Sequence, residues 1–335
     1  MLTRFFRQDQ PTAYLPFPLL ILLLWPGAGT TGGWPFKAAA GVADQVVTGM
    51  PLYAPVRWLI ELGPWTAFGV CLLLLLGVSY SLNRMANDSE LFERRNHLPV
   101  LLFPLLLSIC PFGLVPGPAL LGSWALIWAL ARTWTSLGRK NNLSALFDAG
   151  LLLGIAGLFY LPYAFLVVVI WATLSVTRPV NWREYVLPLI GMAVMLFIGW
   201  GAVHFIAPGT WRPVASMHFG PGTPAVPEGH WMYRVILVVV LLILAVSVLI
   251  SFAAVYARSV MWEKNLRAAF LAFAFAMGLL ALFAWWLDQR VPPVLLALPA
   301  ALLLTYPLLQ AKRTAWADAA VWSLILLAIW ARWAG

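Results

Sequence analysis

The chain predicts an all-α fold, a polytopic membrane helix bundle of about eleven spans that makes one integral membrane domain over residues 1–335. Three observations carry that expectation. The chain is 62% hydrophobic and 10% charged, with a mean hydropathy of +0.87, whereas soluble domains carry roughly 25% charged residues. Runs such as "LLILLLW", "CLLLLLGV" and "VILVVVLLILAVSVLISF" approach or reach the roughly 20 apolar residues that cross a bilayer. The basic residues also sort onto alternate loops.

Taken in order between polar punctuation, the spans fall near 14–29, 64–82, 98–115, 118–132, 147–161, 162–177, 186–207, 233–257, 267–287, 292–310 and 318–333. The first run is expected to be a retained helix, because "WPGAGTTGGWPF" lacks a small-x-small cleavage pattern. The third to sixth spans are short and form two tight hairpins, joined by the uncharged connections "PFGLVPGP" and "FYLPY". Asp148 opens the fifth span, where a carboxylate favours the helix N-terminus. With a cytoplasmic N-terminus, fifteen of the 21 Lys and Arg residues lie on inside segments and six outside. That bias satisfies the positive-inside rule. Topology thus accounts for the net charge of +9, and no nucleic-acid partner is needed. Tryptophans near the span ends, among them Trp25, Trp65, Trp134, Trp211, Trp231, Trp262 and Trp316, suit interfacial belts. Cys71 and Cys110 both fall in apolar spans, so no disulfide framework is expected.

Two outside loops are long enough to build a site, 30–63 and 208–232. In the first, Pro35 suits the first position of a helix and Gly49 its stop. Phe36, Ala40, Ala43, Val47 and Met50 then share one face, with Lys37, Gly41, Asp44, Gln45 and Thr48 on the other. This spacing describes an amphipathic helix lying on the outer surface. Pro55 starts a second short helix, "PVRWLIELG", with Arg57 and Glu61 four apart. The loop therefore reads as two amphipathic juxtamembrane helices hinged at Gly49–Pro51. The second loop is rich in Pro and Gly and carries Arg212, His218 and His230, with His204 just before it. Spacings of fourteen and twelve between the histidines match no compact ligand motif, so no metal is expected. Nor is a cofactor, since Walker A, dinucleotide, HExxH and G-x-S-x-G patterns are all missing. The spans hold almost no ionisable residues, which argues against an ion-coupled pump.

The blocks "LNRMANDSELFERRNHLPVLLFPLLLSICPF" (82–112), "LFDAGLLLGIAGLFYLP" (146–162) and "RPVNWREYVLPLIG" (178–191) resemble an uncharacterised bacterial family of polytopic inner-membrane proteins. That family is a domain of unknown function common in Bacteroidetes. The resemblance implies the topology more than an activity. The first outer loop is also similar to polyprenyl-phosphate-dependent GT-C glycosyltransferases. Asp44 followed by "GMPLY" matches the acid and the turn ending in Tyr53, whereas Glu61 alone stands where that pattern has a further acidic pair.

That second resemblance implies transfer, or binding without turnover, of a sugar from a polyprenyl-phosphate-linked donor at the outer face. Asp44 would be the base that takes the acceptor proton. Arg212 would clamp the phosphate through its fork, with His204, His218, His230 and Tyr53 in the binding site. Two other readings stand beside it. One is a non-catalytic membrane subunit or scaffold with a protein partner in an envelope assembly. The other is a lipid or lipid-glycan transporter, suggested by the Pro- and Gly-broken spans near 104–118 and 157–163. Membrane lipids are expected partners under all three.

Overall fold

The computed structural model describes residues 6, 17–24, 50–110, 114, 116–135, 142–177, 181–206, 231–288, 291–311 and 314–333. Among them every regular element is helical. The elements are α1 (Phe17–Leu24), α2 (Tyr53–Glu61), α3 (Pro64–Asp88), α4 (Leu98–Ile109), α5 (Pro118–Thr135), α6 (Leu143–Phe159), α7 (Val167–Thr177), α8 (Trp182–Ile206), α9 (Trp231–Arg258), α10 (Met261–Asp288), α11 (Pro293–Gln310) and α12 (Thr314–Trp333). Each expected apolar stretch holds a helix. Five of these helices, α3, α8, α9, α10 and α11, are long and apolar enough to cross a membrane.

The helix ends differ from expectation where proline chemistry decides them. The stretch expected over 98–115 is helical only to Ile109, because Cys110 precedes Pro111 and is extended at ψ 136°. Twelve residues rise about 18 Å, short of the roughly 30 Å hydrocarbon core. The span expected at 162–177 is likewise divided. Tyr160 is extended, a 3-10 turn covers Leu161–Leu166 around Pro162, and α7 follows. Polar ends lengthen other helices: α3 runs on to Asp88, and α8 begins at Trp182. There the Asn181 side-chain oxygen accepts from the Arg183 N–H, as a helix-capping residue does. The second juxtamembrane helix is present as α2, two residues longer at its start than Pro55 implied. The first, over 35–49, lies outside the described residues.

All twelve residues of α4 are buried, so this short helix forms the axis of the bundle. It packs against α3, α11 and α12. α8 packs on α6, and α9 on α11 and α12. Away from these contacts α8 and α9 present large apolar side chains outward: Leu249 is 70% exposed, Ile250 67% and Phe205 91%. In water such a surface would be heavily penalised, while lipid is the solvent that accepts it. The protein is therefore a multi-pass helical membrane protein.

Contacts divide the helix connections into two ends. At one end the His97 N–H donates to the Phe6 carbonyl (2.8 Å), Tyr306 to the Leu91 carbonyl (3.2 Å), and Arg132 approaches Asp148 at 3.9 Å. At the other, Leu52 joins Leu158, Tyr53 joins Pro116 and Tyr163 joins Ala119. The first set are connections expected inside and the second set those expected outside. The alternation of the chain is thus internally consistent, and the two ends are called inner and outer below.

Candidate functional site at the outer end

The outer end is built from two breaks in helix and one strap. Pro111 and Pro162 stop α4 and the α6 region, which leaves main-chain carbonyls without an intrahelical partner. Side-chain donors bond main-chain carbonyls around these breaks. The Cys71 thiol of α3 donates to the Leu114 carbonyl at 2.6 Å. The Tyr53 hydroxyl donates to the Pro116 carbonyl at 3.4 Å, and that of Tyr163 to the Ala119 carbonyl at 2.8 Å. Tyr160 and Tyr163 meet edge-on with ring centroids 5.1 Å apart. The strap is Met50–Tyr53, whose Met50 and Tyr53 side chains are buried. Its Leu52 N–H donates to the Leu158 carbonyl at 3.4 Å.

Leu158 links the strap to a third element. Its side chain packs on Gly199 of α8, where a methyl group would come within 2.4 Å of it. The strap that follows residue 49 and the helix that leads into 207 are therefore fastened to the same residue. Beyond Gly199, His204 is exposed and stacks on Trp200 one turn earlier, with centroids 5.5 Å apart and planes at 15°.

Of the expected site residues, Tyr53 and His204 are described. Tyr53 is buried with its hydroxyl on a carbonyl, which makes it an anchor of the strap. His204 faces outward near the end of α8. Asp44, Arg212, His218 and His230 lie outside the described residues. Among the described residues no group of three His, Cys, Asp or Glu side chains could hold a metal.

Sequence reasoning missed a polar knot at the inner end. The Asn83 amide and His97 Nδ1 are 2.9 Å apart and both side chains are buried. Asn87 exchanges two hydrogen bonds with the Asn96 backbone, at 3.1 and 3.3 Å. Glu90 turns the chain between them at φ 56°. Arg267, one of the fifteen charges expected inside, is 2% exposed and lies 3.2 Å from Glu263. The only local signal was the Glu-x-x-x-Arg spacing of "EKNLR", which usually marks a solvated pair. Comparison with family models, curated proteins and solved structures found no match for the chain.

Proposed function

We propose that this protein is a bacterial inner-membrane protein of about eleven spans with a cytoplasmic N-terminus, a member of the uncharacterised polytopic family it resembles. In this reading it binds a polyprenyl-phosphate-linked sugar at the outer face, as GT-C glycosyltransferases do. The observation that carries the reading is the shared anchor at Leu158. The strap, which follows residue 49, and α8, which ends at Ile206, meet there, which supports one site for Asp44 and Arg212. A base and a cation that act on one lipid headgroup must come within hydrogen-bond reach of it, and a common origin favours that.

In this site Asp44 takes the proton of the acceptor hydroxyl. Arg212 holds the phosphate oxygens in bidentate fashion. His204, already outward-facing, joins His218 and His230 around the headgroup, and Tyr53 keeps the strap seated. Native mass spectrometry of protein extracted gently from its own membrane tests the reading. A polyprenyl-phosphate species retained by the wild type and lost in Arg212→Ala is the expected result, with Asp44→Asn retaining the lipid but losing transfer. Bulk phospholipid alone in the wild type refutes the proposal.

The inner knot favours a second reading, a subunit of an envelope assembly. Its hydrogen bonds hold the 89–97 loop in one shape, with Glu90, Glu93, Arg94 and Arg95 exposed on it. A fixed, charged loop suits recognition of a protein partner. A stoichiometric partner that copurifies and is lost when residues 90–95 are replaced by Gly and Ser supports this reading, and a lone monomer ends it.

A further inference from the structure

Arg267 is the most buried cation among the described residues, and its bonding is incomplete. Its side chain is 2% exposed, and neither Nε nor Nη1 has a hydrogen-bond partner of proper geometry. The Glu263 carboxylate stands 3.2 Å from Nη1, one helical turn toward the start of α10. The Tyr306 oxygen accepts from the guanidinium while its own proton goes to the Leu91 carbonyl, so Nε and Nη1 are the donors left over. A guanidinium offers five N–H donors, and a desolvated cation left short of acceptors is costly. The site is therefore built to accept more oxygen than the chain supplies.

Its position says which oxygen. Side chains on a helix lean toward the N-terminus, so Arg267 lies over the first turns of α10, a 28-residue helix. The first N–H groups of a helix have no intrahelical acceptor and carry the positive end of its dipole. Around this terminus the segment "RSVMWEKNLR" sets out Arg258, Lys264 and an exposed Trp262, which are interfacial residue types. Val260 and Met261 are exposed beside them. Cations, an indole and open helix N–H groups at the edge of an apolar bundle match the phosphate of a phospholipid headgroup.

We infer that Arg267, with the N-terminus of α10, is a binding site for the phosphate of an anionic phospholipid in the leaflet at the inner end. Glu263 occupies that site in the lipid-free protein. Its side chain is 38% exposed, so it reaches from the guanidinium to the surface and can rotate outward. The arriving phosphate then takes its place, with two oxygens on the planar fork where one carboxylate contact stood. Trp262 and the stems of Arg258 and Lys264 flank the glycerol and acyl carbons. The site is at the opposite end from the proposed sugar-lipid site and does not depend on it.

The test uses full-length protein in mixed micelles holding equal phosphatidylglycerol and phosphatidylcholine, with retained lipid counted by native mass spectrometry. The wild type should keep phosphatidylglycerol in preference. Arg267→Gln should lower that occupancy about tenfold, and Arg267→Lys by less, because charge survives but the fork does not. Glu263→Gln should raise it about threefold, since it removes the competing carboxylate. This sign separates a ligand site from a merely structural pair, and it holds even if Arg267→Gln fails to fold. Equal occupancy in Arg267→Lys and wild type, or a loss in Glu263→Gln, overturns the inference. Displacement of the lipid by millimolar inorganic phosphate would assign the site to free phosphate and overturn the lipid assignment.

Discussion

Replacing Gly150 by alanine puts a methyl group where the backbone of α8 already runs. A Cβ at that position would lie 2.2 Å from the Pro188 carbonyl oxygen and 2.7 Å from Pro188 Cα, against 3.4 Å for ordinary contact. No flexible side chain is available to move aside. The facing residue has no slack either: a Cβ on Gly191 would meet the Phe147 carbonyl oxygen at 2.5 Å. Contacts then advance together along both helices, from Gly150 against Pro188 to Gly154 against Met195 and Leu158 against Gly199. α6 and α8 are thus parallel and joined through small residues, the arrangement that lets membrane helices approach closely. The methyl must push them apart by about 1 Å, and a gap of that size forfeits about a quarter to a half of each van der Waals contact. Over some tens of atom pairs at about 0.1–0.2 kcal/mol each, the loss is about 2–3 kcal/mol, in line with overpacking elsewhere. Alanine's better helix propensity returns about 1 kcal/mol, so the net destabilisation is about 1–2 kcal/mol. Reversible unfolding in mixed micelles, followed by tryptophan fluorescence, measures it. Gly278→Ala is the internal control, because nothing lies within 4 Å of its Cβ position, and it should be neutral or mildly stabilising. Equal sign and size for the two variants would refute the close approach of α6 and α8.

Four further outcomes are expected. Tyr163→Phe should cost about 0.5–1.5 kcal/mol in the same assay, because the Ala119 carbonyl loses its second donor, 2.8 Å away in a buried site. Tyr306→Phe should speed hydrogen exchange across residues 89–97 while leaving the outer end unchanged, since its hydroxyl ties Leu91 to α11. Asn83→Leu should destabilise by about 1–3 kcal/mol, because His97 Nδ1 keeps its burial and loses its partner at 2.9 Å. A cysteine introduced at Glu93 or at His204, in a chain with Cys110→Ser whose remaining Cys71 is buried, should react with an impermeant maleimide from opposite sides of intact vesicles. Labelling from the same side would break the alternation of inner and outer ends.

Much of the fold was legible because membrane helices announce themselves through local composition. A run of apolar residues becomes helical in lipid, since every backbone group must be bonded within its own segment. Proline also acts locally, so "PFGLVPGP" and "FYLPY" marked the connections, although the helix expected to 115 stops at Ile109 and the one expected from 162 starts at Val167. The order of the apolar stretches anticipated which connections would share an end. It could not anticipate that Arg267, one of the charges expected inside, would be folded into the bundle. Beside it is Tyr306 of α11, whose hydroxyl meets a carbonyl 215 residues away in sequence. The candidate outer site was legible as residue types in two loops, while their common anchor on Leu158 was not, because Leu52, Leu158 and Gly199 share no sequence pattern.

By itself, then, the sequence determined the solvent of this protein, its helical class, the order of its apolar segments and the alternation of its connections. These follow from hydropathy, proline and charge, each of which acts over a turn or two of chain. Only the tertiary structure decided that twelve-residue α4 is the axis of the bundle, that α6 and α8 meet through Gly150 and Gly191, and that Arg267 is buried beside Glu263. Lipid is as apolar as leucine, so hydropathy cannot say which face of a membrane helix meets a neighbour and which meets solvent. Shape and hydrogen bonding between distant segments make that choice.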